Sequence, residues 1–264
     1  MSRKVVPMIH VPDVRATVDW YEGIGFKVVA KYGNEGDGLS FAIVSFGDSE
    51  VMFNPGGEPS SKRRREVDLY TYTDNVDGLY ERLKDRVDVV EGPHNTFYGM
   101  REVIIRDLNR FWITFGQESV FGLLMSGVSE GKAERVRQAI ESGQPKLETL
   151  HVALAVALEK NDAGIIELLK NAGATPTPEI AVETLQKYVG QYKSKRGPEV
   201  EITLEDGKLF ARPGSDVVRL WPLDQITFKP AAFDGASVIF RVEDDKTMGL
   251  TFVQDGHENE FTKV

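Results

Sequence analysis

The chain of 264 residues contains no cysteine. This absence excludes disulfide bonds, a thiol nucleophile and thiolate metal sites. No stretch approaches the roughly 18 consecutive apolar residues of a membrane-spanning helix. The basic opening, MSRKVVPMIHV, is followed by neither a long apolar stretch nor a small-residue cleavage site. We therefore expect no secretory signal, no membrane partner and a cytoplasmic location.

Positive charge is also scarce. The chain has 32 lysine and arginine residues against 41 aspartate and glutamate residues, a formal net charge of −9. Such a charge argues against general nucleic-acid binding and favours neutral or cationic ligands. The one basic cluster, SKRRR at 61–65, has no aromatic side chain interleaved with it and is typical of a solvated loop. We therefore expect no nucleic-acid partner.

Residues 1–117 show one order of elements twice. A short strand is followed by a helix with apolar residues at positions i, i+4 and i+7, for which Asp13 is the predicted N-cap, and then by three strands. The order returns with a strand at 67–73, a helix that starts near Asp74 or Asn75, and three more strands. The pattern therefore predicts two βαβββ units.

Residues 118–176 have a helical period throughout. Gly143 and Gly173 each follow an apolar helical stripe and are predicted to be C-caps. The segments 129–136 and 159–166 align at the spacing of these two glycines, which indicates a weak repeat of helix-turn-helix units.

Residues 177–264 have the period of strands. Val200, Ile202 and Leu204 alternate with polar residues, and the Asp-Gly pair in EDGK is typical of a hairpin turn. Many short strands with close turns predict a small antiparallel barrel or sandwich. The fold class is thus α+β, in three domains: 1–117, 118–176 and 177–264.

Three stretches of the first domain carry a family resemblance: VPDVRATVDWYEGIGFKVV, YTYTDNVDGLYERLKD and FYGMREVIIRDLNRFWITF. Together with the paired order of elements, they resemble the vicinal oxygen chelate superfamily of glyoxalases, extradiol dioxygenases, fosfomycin-resistance enzymes and bleomycin-resistance proteins. The resemblance implies that the two βαβββ units form a cupped mixed sheet. It implies less about activity, because this fold hosts unrelated functions.

Metal-dependent members of the superfamily bind an ion with four side chains on the concave face of the sheet. The positions of this chain that match them are Val6, Met52, Asp68 and Thr114. Valine cannot bind a metal, and a thioether or a threonine hydroxyl is a poor ligand for hard or borderline divalent ions. The resemblance therefore implies no metal ion and no other cofactor. An unconventional site remains open only through Glu50, His10 and Asp68.

His10 lies four residues after Val6, so strand alternation places both side chains on one face, pointing into the cup. Three interpretations stay open for it. It lines a pocket, it is satisfied by neighbours or exposed at the end of the strand, or it is a metal ligand.

Without ligands for a metal, the chain resembles most the bleomycin-resistance members, which sequester a ligand in grooves at a dimer interface. The candidate ligand-binding residues are His10, Met52, Asp68, Tyr70, Phe97, Tyr98, Arg101, Trp112 and Thr114. Phe97, Tyr98 and Arg101 lie in a loop that borders the pocket in the family. Aromatic side chains with a few polar groups are typical of an organic-ligand site, although packing is the alternative role for the tyrosines. We expect a flat, cationic ligand and identify no catalytic residue.

The other two domains carry resemblances of their own. Residues 149–176 resemble a full ankyrin repeat and residues 121–145 a degenerate one, which implies a protein partner. The segments YVGQYKS, LEDGKLFAR and GLTFVQDGHENEFTKV are similar to a small β domain of unknown role found after serine hydrolases of the β-lactamase type. The chain has neither the S-x-x-K set nor the G-x-S-x-G elbow of such hydrolases.

Three functions follow from these patterns. The first is a metal-independent protein that binds and sequesters a small molecule. The second is a lyase or oxygenase of the same superfamily with an altered metal site or none. The third is a scaffold whose ankyrin-like part binds a protein while the cup is vestigial.

The resemblance also generates a prediction about assembly. Two βαβββ units in one chain allow one cup to close internally, but the bleomycin-resistance members still form dimers. We expect a homodimer, measured as twice the chain mass by light scattering at micromolar concentration. A monomeric mass would contradict this expectation.

Overall fold

The computed structural model describes residues 6–34, 38–62, 65–143, 145–195, 199–254 and 256–264. Arg63 and Arg64 of the basic cluster lie outside these ranges. The chain forms two compact units. The first comprises Met1–His94 and Arg101–Gln117, and the second comprises Asn95–Met100 and Glu118–Val264.

The first unit consists of two βαβββ modules, as the pattern predicted. The first module is β1 (Met8–His10), α1 (Val14–Gly23), β2 (Lys27–Asn34), β3 (Gly38–Phe46) and β4 (Ser49–Asn54). The second is β5 (Asp68–Tyr72), α2 (Val76–Leu83), β6 (Asp88–Asn95), β7 (Met100–Arg106) and β8 (Trp112–Glu118). The sheets have the orders β1-β4-β3-β2 and β5-β8-β7-β6, with β1 parallel to β4 and β5 parallel to β8.

Side-chain caps start both helices of the first unit. The carboxylate of Asp13 accepts the backbone N–H of Ala16 at 3.0 Å. The side-chain oxygen of Asn75 accepts the N–H of Gly78 at 2.7 Å, which identifies Asn75 rather than Asp74 as the second cap. Each bond satisfies a donor that the first turn of a helix leaves unpaired.

The first strand is shorter than expected. It begins at Met8, so Val6 lies before it. Pro7 explains the limit, because proline has no N–H to offer to a strand ladder. Its carbonyl oxygen still accepts the N–H of Met52 at 2.9 Å.

One face of each sheet is covered by a helix and the other is open. Ile9 and Phe53 of the first sheet, and Ile105, Ile113 and Phe115 of the second, point to the covered faces and are buried. They join the apolar residues of α1 and α2 in one continuous core. Because successive residues of a strand point to opposite faces, the residues between them lie on the open faces.

The second unit begins with helices and ends with strands. The helices are α3 (Val120–Glu130), α4 (Ala133–Ser142), α5 (Leu147–Lys160), α6 (Ala163–Asn171) and α7 (Val182–Tyr188). The strands are β9 (Gly190–Ser194), β10 (Glu199–Glu205), β11 (Lys208–Pro213), β12 (Val218–Pro222), β13 (Thr227–Pro230), β14 (Ala236–Glu243), β15 (Lys246–Gln254) and β16 (His257–Lys263). In the part of the chain that the structure describes, no helix is long and apolar enough to cross a membrane.

The strands of the second unit close into an antiparallel barrel. Each strand pairs with the next, and β16 pairs with β9 to complete the ring. This closure decides between the barrel and the sandwich that the sequence left open. It also removes the free edges that an open sheet exposes.

The helices α3–α6 share an apolar core of their own. Gly143 is the C-cap of α4, as predicted, whereas the C-cap of α6 is Ala172, one residue before Gly173. Gly173 has φ +93°, a conformation that glycine adopts without strain. The resemblance to ankyrin repeats and the domain boundary at 176 remain predictions.

Helix α5 packs on the outside of the barrel. Val152 and Ala155 contact the ring of Trp221 on β12. Arg219 lies over that ring, 3.4 Å from its centroid, and pairs with Glu159 of α5. Helices and barrel therefore belong to one unit.

Asp107 ties the two modules of the first unit together. The hydroxyl of Tyr21, a fully buried residue of α1, donates to Oδ2 of Asp107 at 3.1 Å. Oδ1 of Asp107 accepts the backbone N–H groups of Asn109 and Phe111, both at 2.8 Å, in the turn between β7 and β8. Burial raises the pKa of Asp107 from its ordinary 3.8 to about 6, although these three hydrogen bonds favour the charged form.

This raised pKa predicts how stability depends on pH. Between about pH 4 and pH 6 the folded state holds the Asp107 proton and the unfolded state does not, so the contribution of Asp107 to stability falls as the pH rises. The quantity to compare is the unfolding free energy of the parent minus that of Asp107→Asn. This difference should fall by at most about 3 kcal/mol between pH 4 and pH 7. Urea denaturation of both proteins measures the difference. A difference that stays level or grows with pH would contradict the assignment.

Candidate functional site

The open face of the second sheet brings together four of the candidate residues. On β5 the side chains of Asp68 and Tyr70 point to this face, and on β8 those of Trp112 and Thr114 do so. Asp68 pairs with Trp112, and Tyr70 with Thr114, in the parallel register of the two strands. Tyr72, two residues after Tyr70, extends the row.

The open face of the first sheet carries the next two candidates. Met8 pairs with Met52, and His10 with Asn54, so His10 and Met52 lie on one face. His10 is exposed, and its Nδ1 donates to the carbonyl oxygen of Pro55 at 3.0 Å. Of the three interpretations of His10, this geometry favours satisfaction by a neighbour.

A buried carboxylate stands behind Tyr70. The hydroxyl of Tyr70 donates to Oε1 of Glu102 on β7 at 2.6 Å, and Glu102 is only 4% exposed. Gly116 makes room for this arrangement, since a Cβ atom there would lie 2.2 Å from the Tyr70 hydroxyl oxygen. Sequence reasoning missed Glu102. The signal for it is that Val103 and Ile105 alternate into the core, which directs Glu102 to the open face.

The structure corrects the expected position of Arg101. As the neighbour of Glu102 in β7, Arg101 points to the opposite face, which α2 covers. Its Nε and one terminal nitrogen donate to the two oxygens of Asp77 on that helix, at 2.7 and 2.6 Å. Arg101 therefore does not share a face with Tyr70.

Phe97 and Tyr98 belong to the second unit rather than the first. They lie in the turn between β6 and β7, where the carbonyl oxygen of Gly99 accepts the N–H of Ser119 at 2.9 Å. Gly99 has φ +86°, and a Cβ atom there would lie 2.8 Å from the Cα of Gly122. The turn is thus packed closely against the start of α3.

A cleft of about 720 Å³ lies in the first unit, where β1 and β4 begin and β5 ends. Tyr70 and Tyr72 form one wall, with ring centroids 5.2 Å apart. Its remaining lining is Val6, Pro7, Phe26, Phe46, Gly47, Asp48, Ser49, Glu50, Val51, Leu69, Thr71, Thr73 and Asp74. Of the nine candidate residues only Tyr70 is in this lining. Three carboxylates, those of Asp48, Glu50 and Asp74, lie among the described lining residues, and no lysine or arginine does.

At the four positions that match the metal-binding side chains of the superfamily, the side chains remain poor metal donors in the structure. Val6 lines the cleft, and Met52, Asp68 and Thr114 lie on open sheet faces. In the described ranges, no three histidine, aspartate or glutamate side chains are grouped so as to hold a metal ion. The chemistry of these side chains does not fit the ion that metal-dependent members of the superfamily bind.

Comparisons with known proteins found a similarity to one family model. The model of the Glyoxalase/Bleomycin resistance protein/Dioxygenase superfamily matches residues 5–115. No curated protein matches the chain.

Solved structures match less than half of the chain. TioX from Micromonospora sp. ML1 is 22% identical, with 44% of this chain and 99% of that chain covered and a TM-score of 0.37. A hypothetical protein from S. aureus, SA1046, is 20% identical, with 44% and 97% covered and a TM-score of 0.35. A glyoxalase/bleomycin resistance protein/dioxygenase from Alicyclobacillus acidocaldarius is 14% identical, with 43% and 89% covered and a TM-score of 0.37.

The bond between Tyr70 and Glu102 makes a prediction about stability. Tyr70→Phe removes a donor from a buried carboxylate and should lower the free energy of unfolding by about 1–3 kcal/mol. Tyr72→Phe is the matched control, because Tyr72 is 75% exposed and its variant should stay within about 0.5 kcal/mol of the parent. Urea denaturation at pH 7 compares the two. Equal losses would show that the buried bond contributes nothing.

Proposed function

We propose that residues 5–115, a domain of the Glyoxalase/Bleomycin resistance protein/Dioxygenase superfamily, bind a flat, cationic organic molecule in the cleft at the junction of the two modules. Binding needs no metal ion, and the domain acts by sequestering its ligand. The proposal rests on the aromatic and carboxylate side chains that line the cleft.

The cleft combines aromatic surface with carboxylate side chains. The rings of Tyr70 and Tyr72 offer faces on which a planar cation is stabilised by about 0.5–2 kcal/mol. Asp48, Glu50 and Asp74 supply carboxylates to the described lining, and a carboxylate can pair with a cationic group of a ligand. A volume of about 720 Å³ lies within the range of roughly 300–1,000 Å³ of small-molecule sites.

Metal independence is supported by the donor chemistry. Val6 has no donor atom, and Met52 and Thr114 offer only a thioether and a hydroxyl, which divalent ions of the hard and borderline classes bind poorly. Asp68 alone is not a metal site.

The alternative function is a lyase or oxygenase of the superfamily with an altered site. One observation favours it: a buried carboxylate, Glu102, is bonded to the hydroxyl of Tyr70, whose ring lines the cleft. A carboxylate and a phenol in hydrogen-bond contact are a suitable pair for proton transfer. The scaffold role of the helical segment remains a prediction.

The proposal predicts selective binding of planar cations. Proflavine, a flat cation, should raise the melting temperature, and at about 100 times its dissociation constant it should add about 2.7 kcal/mol of stability. Anthracene-1-carboxylate, a flat anion, should not. Tyr72→Ala and Glu50→Gln should each weaken proflavine binding, while Tyr32→Ala and Glu22→Gln, exposed residues of the same unit outside the cleft lining, should leave it unchanged.

Two results would contradict the proposal. Equal binding by the parent and both cleft variants would place the ligand elsewhere. If Trp112→Ala and Asp68→Asn weakened binding instead, the ligand would lie on the open face of the second sheet. Near-stoichiometric zinc, nickel, manganese or iron in the purified protein, with a metal-dependent rise in melting temperature lost in Asp68→Ala, would favour the enzyme.

A further inference from the structure

The barrel of the second unit has an apolar interior. Alternate residues of each strand point inward, as strand geometry requires, and the inward set includes Ile202, Ala211, Leu220, Val238 and Phe252. These side chains surround a cavity of about 470 Å³. A closed barrel of eight strands is wide enough to be filled by side chains or to hold one small ligand.

One end of this barrel is closed. Helix α7 lies across it with Leu185 and Tyr188 buried in the barrel core. The ring of Tyr188 stacks on Phe240 with centroids 4.1 Å apart and planes at 8°. The hydroxyl of Tyr192 donates to the carbonyl oxygen of Tyr188 at 2.6 Å and fixes the end of the helix. The cavity is therefore closed at this end of the barrel.

The cavity opens at the other end, past a row of aromatic rings. Phe252 contacts Phe233 with centroids 6.3 Å apart, and Phe233 contacts Phe97 at 5.4 Å. Phe97 lines the cavity and is still 49% exposed. The row thus leads from solvent to the interior.

Among the described lining residues, polar side chains lie only at this rim. Ser194 ends β9, Gln254 ends β15 and Asn259 lies near the start of β16, and all three line the cavity. Glu199 is the charged residue among the described lining residues, and it pairs with Lys193 at 2.7 Å. A hydroxyl and two amides accept and donate hydrogen bonds without carrying charge.

We propose that the barrel binds a neutral, single-chain lipid-like molecule, such as a medium-chain alcohol, with its chain in the cavity and its polar end at the rim. The volume is about three times that of the 150 Å³ cavity that accepts benzene, which suits a ligand of roughly 12–18 non-hydrogen atoms. A carboxylate end is disfavoured, because Glu199 places a like charge at the rim and Lys193 beside it is already paired with Glu199.

Displacement of a fluorescent reporter tests the proposal on the full chain. N-phenyl-1-naphthylamine is neutral and becomes bright in apolar surroundings. It should bind the parent at about one molecule per chain. 1-Dodecanol should displace it, and dodecanoate should need a concentration at least about tenfold higher, since leaving a charge unpaired on burial is unfavourable.

Filling the cavity should abolish this binding. Ala211→Phe places a ring inside the barrel and should weaken N-phenyl-1-naphthylamine binding by about tenfold or more. Ser237→Phe is the matched control, because Ser237 precedes the inward-pointing Val238 and points outward. It should bind as the parent does. If Ala211→Phe does not fold, Val200→Phe, which is only half-buried and lines the same cavity, makes the same test.

A change in the first unit separates this site from the cleft. Tyr72→Ala should leave N-phenyl-1-naphthylamine binding unchanged, because Tyr72 lines only the cleft. Undiminished binding in the filled variants, or a loss of binding in Tyr72→Ala, would overturn the barrel site. Displacement by dodecanoate as effective as that by 1-dodecanol would overturn the neutral ligand class.

Discussion

The bond from Tyr21 to Asp107 is the contact on which the first unit depends. It joins the helix of one module to the β7–β8 turn of the other, inside a core that both modules share. The same carboxylate accepts two backbone N–H groups of that turn, and the turn sets where β8 begins. The position of β8 in turn places Trp112, Thr114 and Gly116 beside β5, and Gly116 leaves the space that the Tyr70 ring occupies.

Much of the fold was predictable from local signals. Apolar periods located the two βαβββ modules. Asp13 marked the first helix start and the pair Asp74 and Asn75 the second, because a cap acts within three residues. Closure of the barrel was not predictable in this way, since it rests on the pairing of β16 with β9, strands far apart in sequence. The candidate site was predicted less well. Tyr70 and Trp112 were named as candidates, but their common face follows from the pairing of β5 with β8. Glu102 was not named, because only the structure shows its bond to Tyr70.

The two cavities differ in a way that separates their ligands. The cleft has three carboxylates in its described lining, and we propose that charge selects its ligand. The barrel cavity has apolar walls with polar side chains at its rim, and we propose that burial of apolar area selects its ligand. The two proposals therefore assign different ligand classes to the two cavities.

The turn at residues 95–100 affects how the first unit can be produced as a separate fragment. Its flanking strands β6 and β7 belong to the first unit, but the turn itself belongs to the second and is bonded to Ser119. A fragment that ends at residue 117 would retain residues 95–100, with Phe97 and Tyr98 among them. It would lack the residues of the second unit on which this turn packs. To transfer the first unit to another protein, the turn between β6 and β7 must therefore be replaced, and a C-terminal residue must be chosen.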